Sequence, residues 1–237
     1  MKYCGLYLNI ENKFPTAARQ AAWSLQYRVF RNTIPPAQPN TDAEGKPQQV
    51  PHTLQHHLHL SSVHQDRTYI CIQPPTGTST VSAIPLSQQD AHASLVRHQF
   101  AALWQPRHVL ALNEGTSYTI GQCTVQIGEL RAIREGPQSG GTQSPGVVVC
   151  ISTLVGEDSF DDGTDGASVP FEEDGDDDYN FVYAQTMVRE CWNLVKEGLD
   201  LGRSEVREVM MAPEYVNGNR EKDAAVRMWC ETLRLRG

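Results

Sequence analysis

The sequence predicts an α+β protein, with a mostly antiparallel, partly open, barrel-like sheet and helices packed on it. Two observations carry this prediction. Strand patterns follow one another directly, where a parallel sheet would alternate strand and helix. Four other segments space their apolar residues as helices do.

Residues 4–10, CGLYLNI, read as a short strand. Pro15 then suits a first helical position, and Ala18, Ala22, Leu25 and Val29 share one face of a helix running to about Phe30. Residues 34–51 hold five prolines and few apolar residues, which predicts a loop. In TLQHHLHLSSV at 53–63, Leu54, Leu58 and Leu60 alternate as on one strand face. RTYICIQ at 67–73 and TVSAIPL at 80–86 are two more strands, separated by the turn PPTGTS. Ser87 and Asp90 resemble a capping box opening a helix to about Trp104, with Ala91, Leu95 and Ala102 on one side and Phe100 and Leu103 beside it.

RHVLALN at 107–113, residues 118–120 and residues 122–130 read as strands. In the last, Cys123, Val125 and Ile127 face one way and Gln122, Thr124 and Gln126 the other, the half-buried antiparallel pattern. GPQSGGTQSPG is a loop, and residues 147–154 form an apolar strand. Ala184, Val188, Cys191, Trp192, Val195 and Leu199 mark an amphipathic helix, and a final helix at about 219–235 carries Ala225, Trp229 and Leu233.

Composition narrows the function. Apolar residues make up 39% of the 237, enough for a globular core. No apolar run approaches the ~20 residues of a membrane-spanning helix. The N-terminus turns polar too soon for a signal peptide. Six cysteines at 4, 71, 123, 150, 191 and 230 form no CxxC pair, and most sit among apolar neighbours. They read as reduced, buried side chains in an intracellular protein.

The net charge of −8 is concentrated in one place. Residues 157–178 contain eleven Asp and Glu and no Lys or Arg, leaving 17 acidic against 20 basic residues elsewhere. The rest of the chain thus gives no electrostatic footprint for nucleic acid.

Three groups invite a chemical reading. Asp161, Asp165, Gly166 and Glu172 occupy positions 1, 5, 6 and 12 of a calcium loop. A strand precedes this loop, position 3 is Gly163 and an acidic run follows, whereas an EF-hand needs a helix on each side. A solvated insert explains the stretch better. His52, His56, His57, His59 and His64 suggest a metal, with His57 and His59 two apart on one strand face. That face also holds Gln55 and Ser61, which predicts an exposed sheet face, and spacing supplies no Cys or Glu ligand. The cysteines lack a nucleophile setting, and GPQSGGTQSPG is neither a P-loop nor a dinucleotide fingerprint. No catalytic, cofactor-binding or metal residue is assigned.

The block from Arg67 to Leu154 resembles the fungal form of Mediator complex subunit 20, the TATA-binding-protein-related-factor family. Tyr118, Gly121, Val125, Ile127, Gly128 and Leu130 match its tyrosine, its glycine and its strand ending in Ile-Gly. CGLYLNI and VRECWNLVKEGL fit as well; Gln122 and Cys123 stand where an acidic–aromatic pair is expected.

The resemblance implies one domain over residues 1–237, with mobile insertions at about 34–51 and 156–180. It implies a non-catalytic, nuclear subunit of the Mediator head without cofactor, paired with Mediator subunit 18 and tethered by the C-terminal helix of subunit 8. Other head subunits and the RNA polymerase II machinery would be partners, with no direct contact to nucleic acid or membrane. Residues alone do not say which face meets subunit 18. A small metal- or thiol-dependent hydrolase and a free-standing acidic interaction module are the alternatives.

Eleven carboxylates with no basic neighbour in sequence cannot offset the entropy of ordering. Deleting residues 157–178 is therefore expected to leave the thermal midpoint nearly unchanged. Millimolar calcium is expected not to slow amide exchange there; calcium-dependent protection would restore the EF-hand reading.

Overall fold

The computed structural model describes residues 10, 13–33, 52–133, 143–153, 176–199, 204–211 and 221–234. Among the described residues eight strands are formed: β1 (Ala18–Arg19), β2 (Trp23–Asn32), β3 (Leu54–Leu60), β4 (Arg67–Gln73), β5 (Thr80–Pro85), β6 (Trp104–Ile120), β7 (Cys123–Ile133) and β8 (Gln143–Thr153). The helices are α1 (Gln89–His98), α2 (Asp176–Lys196) and α3 (Glu221–Leu233). The strands pair in the order β5-β4-β3-β2-β6-β7-β8, with β1 also on β6, so the sheet stays open. The registered pairs β1/β6, β2/β3, β2/β6, β3/β4 and β4/β5 are all antiparallel. This is the α+β architecture the strand order predicts.

The chain divides into two compact units. One comprises Met1–Ala22, Thr116–Gly128 and Val147–Ser204, and the other Trp23–Gly115, Glu129–Gly146 and Glu205–Gly237.

In the first unit, Ile10, Tyr118, Cys123, Val125, Ile127, Cys191 and Val195 form one buried cluster. The alternation of β7 supplies three of these and the helical repeat of α2 two, as their sequence patterns predict. The Lys13 ammonium donates to the Glu197 main-chain oxygen at 2.6 Å and meets the Glu197 carboxylate at 2.9 Å. It thereby places a cation at the C-terminal end of α2, where the helix dipole favours one. Gly121 turns the chain from β6 to β7 with φ of 58°, a conformation that costs a residue with a Cβ.

In the second unit, β2 is central. It pairs with β3 from Leu25↔Leu60 to Arg31↔Leu54, and with β6 from Trp23↔Gly115 to Asn32↔Trp104. The predicted helix from Pro15 to Phe30 is therefore wrong. Ala18, Ala22, Leu25 and Val29 do fit a helical face, but Trp23, Leu25, Tyr27 and Val29 fit a period of two equally well, and all four are buried. Aromatic and β-branched residues favour the pleated alternative, and pairing on both edges decides for it.

The helix predicted to reach Trp104 ends at His98, because the chain turns there to enter β6. Its N-cap is Gln88, without a side-chain cap bond, so the proposed Ser87 capping box does not form. The buried residues of α1 are Gln89, Ala93 and Val96, not the predicted Ala91–Leu95–Ala102 face. Leu95, Phe100 and Leu103 are left 44%, 44% and 42% exposed. In α3, Val226, Trp229, Cys230 and Leu233 are buried at helical spacing. The residues of CGLYLNI before Ile10, the 34–51 segment and residues 154–175 lie outside the described residues. Ile10 itself belongs to a helical turn, its carbonyl accepting from the Phe14 N–H at 2.9 Å.

Trp23 and Trp229 meet with ring centroids 5.9 Å apart. A Cβ on Gly115 would stand 2.3 Å from Trp23 Nε1, so only glycine lets the indole lie against β6. Gly115→Ala is expected to destabilise by about 1–3 kcal/mol through displacement of that ring. Urea unfolding of the variant measures this, and an unchanged midpoint would show that the indole moves freely.

Candidate functional site

The polar side chains that invite a functional reading converge on β3. Its residues are buried on both faces, a consequence of α3 packing on β3, β4 and β5 and of α1 covering the opposite face. Alternation along LQHHLHL sends His56, Leu58 and Leu60 one way and Gln55, His57 and His59 the other. The expectation that His57, Gln55 and His59 line an exposed face is thus overturned. They are 2%, 7% and 5% exposed, because α1 lies over them.

On the α3 side, the Tyr27 hydroxyl lies 2.8 Å from His56 Nδ1, and His56 Nε2 lies 3.2 Å from Gln73 Oε1. One tautomer satisfies both contacts: Tyr27 donates to Nδ1, and the Nε2–H donates to Gln73. Burial lowers the His56 pKa to about 4, against the opposing bond to Gln73 and with Arg234 and His108 adding to the decrease. Tyr27 is raised well above its usual value, first by burial and then by Cys230 and Cys71, so its hydroxyl keeps its proton. His108, 5.7 Å from the Tyr27 ring, is lowered mainly by burial, and its Nε2 lies 3.4 Å from the Leu233 carbonyl.

On the α1 side, Gln55 Nε2 donates to His57 Nε2 at 3.1 Å, and the His57 ring meets those of Phe30 and His92 in tilted contacts, with centroids 5.1 and 4.9 Å away. Burial, then His92 and Arg28, hold the His57 pKa at about 3. His59 Nδ1–H donates to the Arg67 carbonyl at 2.8 Å. Gln89 reaches in from α1, accepting from Thr68 Oγ1 and donating to Gln26 Oε1, both at 2.6 Å. Arg28 meets the exposed Asp90 carboxylate at 2.9 Å.

The five candidate histidines therefore do not converge. His56 and His57 lie on opposite faces, His52 meets Asn32 Oδ1 at 3.1 Å, and His64 Nδ1 accepts the Asp66 N–H at 3.2 Å. Among the described residues, no three His, Cys, Asp or Glu side chains group as metal ligands. Asp161, Asp165, Gly166 and Glu172 lie outside the described residues.

Two pairings escaped the sequence. Cys230 of α3 and Cys71 of β4 are both buried where that helix packs on that strand, and Cys191 of α2 and Cys123 of β7 lie in one buried cluster. Sequence separations of 159 and 68 residues give no local signal for either. The Gln26–Gln89–Thr68 bridge was missed for the same reason.

These features define an α+β scaffold whose candidate histidines serve packing and internal hydrogen bonding. The family described as TATA-binding related factor (TRF) of subunit 20 of Mediator complex matches residues 10–223, and the chain belongs to that family. It is thus a subunit of a transcription-regulating complex.

No curated protein matches the sequence. The chain is similar to the PH1012 protein of Pyrococcus horikoshii OT3, at 9% identity and TM-score 0.40, covering 85% of this chain and 87% of that one. It is similar to a chain of the Schizosaccharomyces pombe Mediator head module, at 10% identity and TM-score 0.40, covering 84% and 90%. The PH1819 protein of Pyrococcus horikoshii OT3 matches at 10% identity and TM-score 0.37, covering 83% and 86%.

The two depressed histidines set a pH dependence. Unfolded, His56 and His57 titrate near pH 6.5; folded, they are held at about 4 and about 3. The folded chain binds fewer protons, so their stabilisation is complete above pH 6.5 and is lost as pH falls through 4 and then 3. For His56 the linkage is on the order of 3 kcal/mol. His56→Gln, which can still accept from Tyr27 and donate to Gln73, is expected to flatten the decline between pH 6.5 and 4. Urea midpoints across that range check it, and an unchanged slope would remove His56 as a cause.

Proposed function

We propose that this chain is a non-catalytic subunit of the Mediator head module, paired with Mediator subunit 18 and tethered by the C-terminal helix of subunit 8. In this reading it helps couple regulators to RNA polymerase II transcription in the nucleus. Its 237 residues act as one subunit 20-like domain, with insertions at about 34–51 and 156–180. The family match over residues 10–223 carries the reading. The rings of His56 and His59, bonded inside the protein to Tyr27, Gln73 and the Arg67 carbonyl, agree with it.

An exposed apolar turn supplies a contact surface of the required kind. Phe100 N–H bonds the Leu95 carbonyl at 3.3 Å, and Leu103 N–H bonds the Phe100 carbonyl at 2.9 Å, which gathers three exposed apolar side chains at the end of α1. Apolar clusters left in solvent mark interaction sites.

Co-expression with subunit 18 is expected to raise soluble yield and give a 1:1 species, with an interface of at least ~1,000 Å². Phe100→Asp is expected to weaken the pair without loss of circular-dichroism signal. A well-folded monomer that fails to bind subunit 18 at micromolar concentration would overturn the pairing. Loss of function on deleting residues 157–178 alone would favour an acidic interaction module.

A further inference from the structure

We propose that the outer edge of β5 is a strand-addition site, at which an extended, uncharged segment of the partner chain, subunit 18 in the reading above, pairs with residues 81–85. β5 stands last in the strand order, and among the described residues no strand pairs with its outer side.

The ladder register fixes which backbone groups that side presents. Leu86 N–H bonds the Asp66 carbonyl at 2.9 Å, one step beyond the Arg67↔Pro85 pair. Bonded pairs recur at every second residue of an antiparallel ladder, so Ile84, Ser82 and Thr80 bond Thr68, Ile70 and Ile72. The N–H and C=O groups of Val81 and Ala83 therefore point away from β4, as does the Pro85 carbonyl. Pro85 has no N–H, so pairing through both groups ends at Ala83.

These groups select the occupant. A helix spends its backbone bonds internally, whereas an extended chain offers a donor and an acceptor along one edge at every second residue, roughly 7 Å apart. Edge strands are ordinarily blunted by charge, a bulge or a covering element. TVSAIP carries no charge, and its pairing with β4 runs without a register shift from Ile72↔Thr80 to Arg67↔Pro85. A charged side chain set against it would lose water and find no counter-charge on the strand, which favours an uncharged segment.

The side chains of β5 leave room for a second backbone. Val81 and Ala83 stand opposite Cys71 and Tyr69 on the α3 side, and Ser82 and Ile84 opposite Ile70 and Thr68 on the α1 side. Ser82 and Ala83 are small and exposed, so neither face obstructs the approach. Val81 and Ile84 are only half-buried, and Ile72, opposite Thr80, is 41% exposed. β-branched or aromatic residues on the added strand would complete the burial of all three.

The test is amide hydrogen exchange of the full chain, read residue by residue by NMR, alone and with subunit 18. Alone, the Val81 and Ala83 amides are expected to exchange fast while Ser82 and Ile84 are protected; in the complex, Val81 and Ala83 become protected too. Ala83→Pro, which removes an outward N–H, and Ala83→Lys, which adds a charge to the edge, are each expected to weaken association several-fold at an unchanged urea midpoint. Ser82→Pro, which removes an inward N–H, is expected to lower that midpoint. Protection of Val81 and Ala83 in the isolated chain would show an edge already covered, and protection that grows with chain concentration would make a second copy the occupant; either result overturns the proposal. A complex in which both amides still exchange fast, or to which both Ala83 variants bind as the unaltered chain does, overturns it and leaves the pairing with subunit 18 in place. Failure to form any complex overturns both.

Discussion

The register of β2 between β3 and β6 is the constraint on which the second unit depends. With Leu25 opposite Leu60 on one edge and Leu112 on the other, the side chains of residues 25–29 and of their partners on β3 and β6 are each assigned a face, between the register shifts that flank this stretch on β6. A slip of one residue would exchange those faces. Tyr27, Val29, His56 and Leu110 would turn away from α3, and Arg28 and Gln26 would enter the largely apolar layer beneath it. The other face of β2 is polar and partly open, with Gln26 exposed, so such a slip would also turn Leu25 and Tyr27 toward solvent.

Two-sided burial also explains why so many polar groups lie inside. A buried polar group is tolerated when its bonds are made. His56 meets Tyr27 and Gln73, Gln89 meets Thr68 and Gln26, and His59 meets a carbonyl. These bonds cross between elements distant in sequence, so they fix orientation as well as offsetting desolvation. They also hold the rings neutral, since burial makes a proton on His56 or His57 costly. What resembles a catalytic or metal constellation in sequence becomes a positioning layer in the fold.

A protein of a multi-subunit complex has to present surface while keeping its own core closed. The division of labour along α1 shows how: Gln89, Ala93 and Val96 face the sheet, and Leu95 remains outward with Phe100 and Leu103 just beyond. The helices α2 and α3 each bury an apolar stripe that includes a cysteine, Cys191 in one and Cys230 in the other.

The sequence by itself determined the α+β class, most of β3 to β8, and the buried faces of β7 and α2. In those segments the apolar period matches one structure alone, as with Cys123, Val125 and Ile127. It also carried the family, because Tyr118, Gly121 and the strand after them form a local pattern whose glycine needs positive φ. Tertiary structure decided what local pattern left degenerate. Residues 23–32 satisfy both helical and strand periods, and pairing on two edges selected the strand. His57 and His59 read as exposed because their strand face is polar, yet a helix with a glutamine and a histidine of its own covers them. The cysteine pairs and the histidine tautomers depend on contacts across scores of residues. Local periodicity encodes which face is apolar; only the packed fold sets what that face meets.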